Sequence, residues 1–190
     1  MSLPVIRAIM EEHQALAAVL RCFQLQVECA RRDETQPDFG ALRAMLFYLD
    51  EAPAQLHHAR ESSHLFPRLR ERCPALGPVL DRLEVDHGRA EVAVRELERA
   101  LLAFEVMGDS RRNRFEVAVD RYVEGYLGHM EVEESYLIPV ALGCFTDEDW
   151  EEMNAAFDVS EDPKQRAIAE EYRQLLRRVL FKEEKPSRCR

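Results

Sequence analysis

The residues best suited to chemistry in this chain are imidazoles and carboxylates that recur at fixed spacing. The stretch His57-His58-Ala59-Arg60-Glu61-Ser62-Ser63-His64-Leu65-Phe66-Pro67 returns 72 residues later as His129-Met130-Glu131-Val132-Glu133-Glu134-Ser135-Tyr136-Leu137-Ile138-Pro139. Five of the eleven positions are identical: the leading His, the Glu four on, then Ser, Leu and the closing Pro. Residues four apart on a helix share a face, with Cβ atoms about 5–6 Å apart. Each copy therefore offers one imidazole and one carboxylate pointing the same way. That pair suits a hard or borderline cation, and two such pairs facing each other suit two cations. A single His-x-x-x-Glu is common on solvent-facing helices. Its repetition with the same Leu-x-Pro behind it sets these two apart.

The elements that must position these residues read as four long helices. The first spans about 4–30, with an apolar stripe of Ile6, Ile9/Met10, Leu16/Ala17, Leu20, Gln24 and Val27, and His13 in its gap. The second spans about 39–72, and Pro53 predicts a kink or break because proline removes a backbone hydrogen bond and crowds the preceding turn. His57 and Glu61 continue its inward stripe. His58 is rotated ~100° from His57 and faces the flank; for it and for His64, surface or packing is the favoured reading, the alternative for His64 being a partner of the ligands or a lid over the site. The third helix, about 76–106, carries His87 inward, with Glu91 four beyond it as an open choice between a further ligand and a solvated carboxylate. The short turn Met107-Gly108-Asp109-Ser110 implies an antiparallel neighbour. The fourth helix, about 111–141, carries His129 and Glu133 inward, with Glu134 as the rival carboxylate. Tyr122 and Tyr126 lie in the turns before His129; core packing is the favoured role for both, with a hydroxyl hydrogen-bonded near the site as the alternative.

Beyond Gly143, Thr146-Asp147-Glu148-Asp149 ahead of Trp150 reads as an N-cap with an acidic first turn. A short helix to Phe157 and another over about 164–183 form an appendage, divided by Asp162-Pro163 and ending in a frayed tail. The expected division is a bundle over 1–142 and a C-terminal helical extension over 143–190.

Composition narrows the classes. A chain of 190 residues suits one domain with a sizeable core, and a net charge of −10 argues against nucleic acid and anionic membranes as partners. No apolar run approaches the roughly 20 residues of a membrane span, and Met1 to Arg7 has no signal-peptide layout. The expectation is a cytoplasmic protein. Its five cysteines (22, 29, 73, 144, 189) form no close pair and read as reduced packing residues.

All six histidines lie on the four long helices, and four of them (His13, His57, His87, His129) fall on inward stripes, one per helix. His13 precedes His57 by 44 residues and His87 precedes His129 by 42, so the chain is a tandem repeat of a helical hairpin. Folding the repeats about a pseudo-two-fold axis brings four His and two Glu to one level of a four-helix bundle. An inward imidazole on its own is usually a satisfied core residue. Four facing an apolar interior would each need partners, and a metal pair supplies them.

The order His … His-x-x-x-Glu … His … His-x-x-x-Glu, with His57-His58 and Leu65-Phe66-Pro67 around the second helix, resembles the hemerythrin-like family, the His-His-Glu cation-binding domain. The resemblance covers about residues 5–142. It implies an all-α, up-down-up-down four-helix bundle around two iron ions. Carried over, His13, His57, His87 and His129 match the ligand imidazoles. Glu61 and Glu133 match bridging carboxylates, joined by an oxo or hydroxo group; Glu91, His58 and Glu134 are further candidates. Oxygen-carrying members have a fifth His where this chain has Glu91, and an Asp where it has Glu134. A carboxylate there should favour the ferric state and disfavour reversible carriage.

The resemblance thus implies a non-haem di-iron protein, monomer or homodimer, that binds or senses dioxygen, nitric oxide or peroxide. The alternatives are an enzyme acting on peroxide or nitric oxide, and an iron-handling protein. A helical adaptor with merely packed histidines is the non-metal reading.

Overall fold

The computed structural model describes residues 4–52, 57–157 and 163–180. The expected kink at Pro53, the break at Asp162, Cys189 and the charged tail lie outside these residues. Helix α1 (Pro4–Arg32) is followed by α2 (Phe39–Ala52), and the second arm of the bundle resumes as α3 (His58–Arg60), a π-helical turn (Glu61–Leu65) and α4 (Phe66–Arg72). After a 3-10 turn (Pro74–Leu76) come α5 (Gly77–Met107), α6 (Arg112–Val132), a second π-helical turn (Glu133–Leu137) and α7 (Ile138–Cys144). Helices α8 (Asp147–Phe157) and α9 (Pro163–Leu180) complete the described chain. Helices α1, α2, α5 and α6 pack in cyclic order as the expected bundle, because the short connections bring each helix back beside its predecessor.

The two π turns have a common cause. Proline lacks the N–H of the helical ladder, and its ring crowds the carbonyl four residues back. Pro67 and Pro139 sit near the same place in the two repeats. Each is preceded by a widened turn in which the N–H of Phe66 or Ile138 donates to the carbonyl five residues back, on Glu61 or Glu133. Such turns absorb the misfit without ending the helix.

On α1 the buried residues are Val5, Ile9, His13, Leu16, Val19, Leu20, Phe23, Val27 and Ala30. The expected stripe is therefore right in the middle and shifted at its ends: Val5 replaces Ile6, and Phe23 replaces Gln24. The larger apolar ring takes the interior, while the Gln24 amide sits at the margin and donates to Asp120 at 3.2 Å.

The apolar interior is not continuous. One part joins Leu16–Val27 of α1 to the buried faces of α2, α5 and α6, with Phe115 at its centre, edge-on to Phe23 and tilted against Phe104. The other joins Val5 and Ile9 to Leu65, Phe66, Leu69, Leu80, Leu83, Leu137 and Ala141. Trp150, Met153 and Phe157 of α8 close this second part. Between the two lies a layer of buried His and Glu side chains. Helix α9 lies against α1 and α2, where Tyr172 packs edge-on to Tyr48.

Helix α8 is held by the cap the sequence predicts. Thr146 Oγ1 accepts from the Asp149 N–H at 3.3 Å, and the Asp149 carboxylate accepts from the Thr146 N–H at 2.8 Å, a reciprocal capping box. The same carboxylate, 1% exposed, takes a two-point contact from Arg72 at 2.8 and 3.0 Å. The Arg72 guanidinium and the Thr146 bonds hold it down at about 2, against the usual 3.8. A carboxyl depressed in the fold stabilises it above the unfolded value, and that stability is lost as pH falls through the folded value. Asp149→Asn is therefore expected to cost about 2 kcal/mol at neutral pH. In thermal unfolding, the gap to the unsubstituted protein should close between roughly pH 4 and pH 2.

Candidate metal centre

His13 of α1, His57 just before α3, His87 of α5 and His129 of α6 all point into the layer, each buried. Glu61 and Glu133, first residues of the two π turns, enter from opposite arms and are 0% and 2% exposed. His13 Nε2 and His57 Nε2 stand 3.0 Å apart, and His87 Nε2 and His129 Nε2 stand 3.1 Å apart. The carboxylates lie between these pairs. Glu61 Oε2 is 3.4 Å from His57 Nε2 and 3.5 Å from His87 Nε2, so it reaches both. Glu133 spans likewise, at 3.3 Å from His13 Nε2 and 3.2 Å from His129 Nε2. Donor atoms of His13, His57, Glu61 and Glu133 form one group, and those of Glu61, His87, His129 and Glu133 a second, each within 4.8 Å. The two groups share both carboxylates.

The outer nitrogens explain how the rings are aimed. His13 Nδ1 meets Glu134 Oε1 at 2.8 Å, and His57 Nδ1 meets Glu12 Oε2 at 3.2 Å. A carboxylate accepts, so each Nδ1 carries a proton and each Nε2 faces inward, where the neutral ring offers its lone pair. Two such lone pairs facing at 3.0 Å repel unless a proton or a cation lies between them. Glu12 is braced by Arg60, whose guanidinium also donates to the Phe157 carbonyl at 3.3 Å and lies over the Phe157 ring. Burial pushes the Glu12 carboxyl up, but His57 and Arg60 together hold it below the usual range. The C-terminal extension thus reaches His57 through Phe157, Arg60 and Glu12. On the other side His87 Nδ1 lies 3.3 Å from Ser62 Oγ, and His129 Nδ1 has no hydrogen-bond partner among the described residues.

Electrostatics make the bare layer costly. Among the described residues, neither oxygen of Glu61 or Glu133 has a well-directed hydrogen bond. Burial, then the Glu133 charge, pushes Glu61 up to about 7. Burial also opposes ionisation of Glu133, but the His129 and His13 nitrogens hold it well down. Burial and the neighbouring His129 lower His87 to about 4. Divalent cations at the two groups would satisfy the carboxylates and the facing lone pairs together. The donor set of imidazole nitrogen and carboxylate oxygen fits that role.

The three further candidates separate cleanly. Glu134 is the outer partner of His13 rather than a rival of Glu133. Glu91 is exposed and belongs to neither group, so its charge does not reach the layer as expected. Four residues carry a helix about 40° past a full turn, enough here to swing the side chain into solvent. His58 is buried rather than on the flank. It stacks on His87 with centroids 4.0 Å apart and planes 13° apart, and its Nε2 is 2.9 Å from Tyr126 Oη. Donor atoms of His58, His87 and His129 make a third close group. The neighbouring imidazoles and burial push His58 down to about 2, burial first. The Tyr126 hydroxyl is thus hydrogen-bonded beside the layer, the alternative to plain packing that the sequence offered. His64 is exposed, as expected.

A profile of the Hemerythrin HHE cation binding domain matches residues 5–141. The chain belongs to the hemerythrin HHE cation-binding family. No curated protein matches it significantly. Within the family match lie all the His and Glu residues of the three groups. Among the described residues, no helix is long and apolar enough to cross a membrane.

Removing one buried charge should act oppositely with and without metal. Glu61→Gln is expected to leave the metal-free protein as stable or more stable, by on the order of 1 kcal/mol, because a repelled carboxylate becomes neutral. The same change should abolish most of the rise in melting temperature that added ferrous or zinc ion gives the unsubstituted protein. Calorimetry of both proteins with and without metal checks this.

Proposed function

We propose that this hemerythrin-family bundle holds a di-iron centre and binds or senses dioxygen, nitric oxide or peroxide there. The observation that carries the reading is the pair of four-residue His/Glu groups that share Glu61 and Glu133. One ion would take His13 and His57, the other His87 and His129, with both carboxylates bridging. Bound iron would supply electrons and an exchangeable coordination position to the small ligand. The protein's part is to exclude bulk water, to orient the imidazoles through Glu12 and Glu134, and to hold a neutral His58 and the Tyr126 hydroxyl beside the His87 and His129 pair. In this reading residues 1–142 form the metal-holding unit, and residues 143–190 steady it through Phe157 and Arg60.

Stacked rings support His58 as a neighbour of the centre rather than a ligand. A metal lies in the plane of the imidazole it binds, and a ring stacked nearly parallel to His87 cannot contain the same metal in its own plane. Turnover of peroxide or nitric oxide is the second reading. It is favoured by the hydroxyl and neutral imidazole poised at the centre, which suit proton delivery.

The first test is elemental analysis with absorption spectra of the reduced protein before and after air. The expected outcome is about two irons per chain, with a near-ultraviolet band of an oxygen-bridged ferric pair on oxidation. His87→Ala and His129→Ala should each remove most of the iron, and His58→Ala little. Equal loss in all three would overturn the assignment. Multiple turnovers with peroxide, absent in Glu61→Ala, would decide for the enzyme; reversible oxygen release without turnover would decide for binding.

A further inference from the structure

The cysteines are spread widely along the chain, yet the fold brings two of them together. Cys73 caps the C-terminus of α4, and Cys144 is the last residue of α7. They end the two arms that carry Glu61 and Glu133, at nearly equivalent places in the repeat. Cys73 lies 16 residues after His57, and Cys144 lies 15 after His129. Both side chains pack against the apolar part that Trp150, Met153 and Phe157 of α8 close. There the Cys144 thiol hydrogen-bonds to Cys73. The chain beside each thiol is tied to one buried carboxylate. Arg72, just before Cys73, donates to Asp149 at 2.8 and 3.0 Å. The N–H of Thr146, two residues after Cys144, donates to the same carboxylate at 2.8 Å. The two helix ends are therefore held side by side by contacts that do not involve sulfur. Both cysteines are free and half-buried. Cys22 and Cys29 on α1 differ: their sulfurs accept from Gln26 at 3.9 Å and from Arg32 at 3.8 Å. Neither has a cysteine partner among the described residues.

Two sulfurs fall short of the four ligands that a structural metal site takes, and neither cysteine belongs to the metal-ligand groups. What two thiols in contact can do is exchange electrons. We propose that Cys73 and Cys144 form a reversible disulfide under a peroxide oxidant, a thiol switch that staples the arm ending in α4 to the arm ending in α7. Two thiols and one hydrogen peroxide give one disulfide and two waters. Burial, then the contact with Cys73, pushes the Cys144 thiol up, so it keeps its proton and donates to the Cys73 sulfur. Cys73 is thus the attacking sulfur. Its thiolate breaks the peroxide O–O bond and takes one hydroxyl, forming a sulfenic acid, while the other oxygen leaves as hydroxide and picks up the thiol proton. The Cys144 sulfur then attacks the Cys73 sulfur and gives its proton to the departing hydroxyl, which leaves as water. Two electrons pass from the sulfurs to peroxide, and a dithiol reductant returns them. The cysteines are 71 residues apart, so the bond restrains the unfolded chain over a long loop and favours the folded one. It also fixes the end of α7, from which α8 follows, against the arm of Glu61. Peroxide oxidises thiols directly, and the inference does not rest on the di-iron reading.

The test takes the full chain as purified, reduced and desalted, with a chelator present against free-metal chemistry. It is treated with hydrogen peroxide, alkylated, digested and mapped by mass spectrometry. The expected product is a monomer with a linked Cys73–Cys144 peptide pair, lighter than the separate peptides by the two thiol hydrogens. Dithiothreitol should return both thiols, and Cys22 and Cys29 should stay open to alkylation throughout. The oxidised chain should melt several degrees above the reduced chain. Cys73→Ser and Cys144→Ser should each abolish the linked pair and the rise in melting temperature. In Cys144→Ser the sulfenic acid should accumulate on Cys73, where dimedone traps it. Mapping of the unsubstituted chain decides the matter by itself if a variant does not fold. Full alkylation of Cys73 and Cys144 after peroxide treatment of the folded chain overturns the inference. So does a linkage between chains, or one through Cys189, in place of the Cys73–Cys144 pair.

Discussion

Everything in this bundle is arranged around a layer of charge-bearing groups that cuts its apolar core in two. Two carboxylates and four imidazoles sit at one level, with packed aliphatic and aromatic side chains on either side. Buried charges are tolerated only when paired or coordinated. Here the oxygens of Glu61 and Glu133 have neighbours at more than 3 Å and no good hydrogen bond. A site this unfavourable when bare and this convergent in its donors is what a metal-binding core looks like before metal is counted. Links between metal and folding follow from that, since the ion repairs a cost that the apolar layers above and below must otherwise carry.

The repeat that builds the layer does not make it symmetric. Both arms place a Glu at the start of a π turn, and both do so because a proline follows. The surroundings then diverge. Glu12 and Glu134 tie the outer nitrogens of His57 and His13, whereas His129 is left without such a partner. His58 has no counterpart in the second repeat, where Met130 stands. An extra imidazole and a tyrosine hydroxyl therefore stand beside His87 and His129 on one flank. Duplication supplies the paired His and Glu side chains, and departures from duplication supply surroundings that differ between the two pairs.

The C-terminal helices are part of this arrangement. Helix α8 supplies three side chains to the apolar part below the layer, and its last residue meets Arg60, which braces Glu12 and through it His57. The capping box at Thr146 and Asp149, anchored by Arg72, fixes where that helix begins. A segment outside the family match is thereby linked through hydrogen bonds to an imidazole inside it.

By itself the sequence determined the all-α class, the long helices, the inward histidines and the repeated His-x-x-x-Glu pairs. Local periodicity encodes which side of a helix faces inward, and a helix-by-helix reading recovers it. It also determined the cap of α8, because a capping box is a contact between residues three apart. What only the tertiary structure decided were the matters of rotation and of neighbours. Glu91 points to solvent although it follows His87 by four, and His58 turns inward although periodicity sent it to the flank. Glu134 became a hydrogen-bond partner of a helix 121 residues away. Phe23 displaced Gln24 because a large ring gains more from the interior than an amide does. Each of these depends on how helices are set against one another and on the π turns that shift the register. Those are relations between distant segments, and no spacing along one helix carries them.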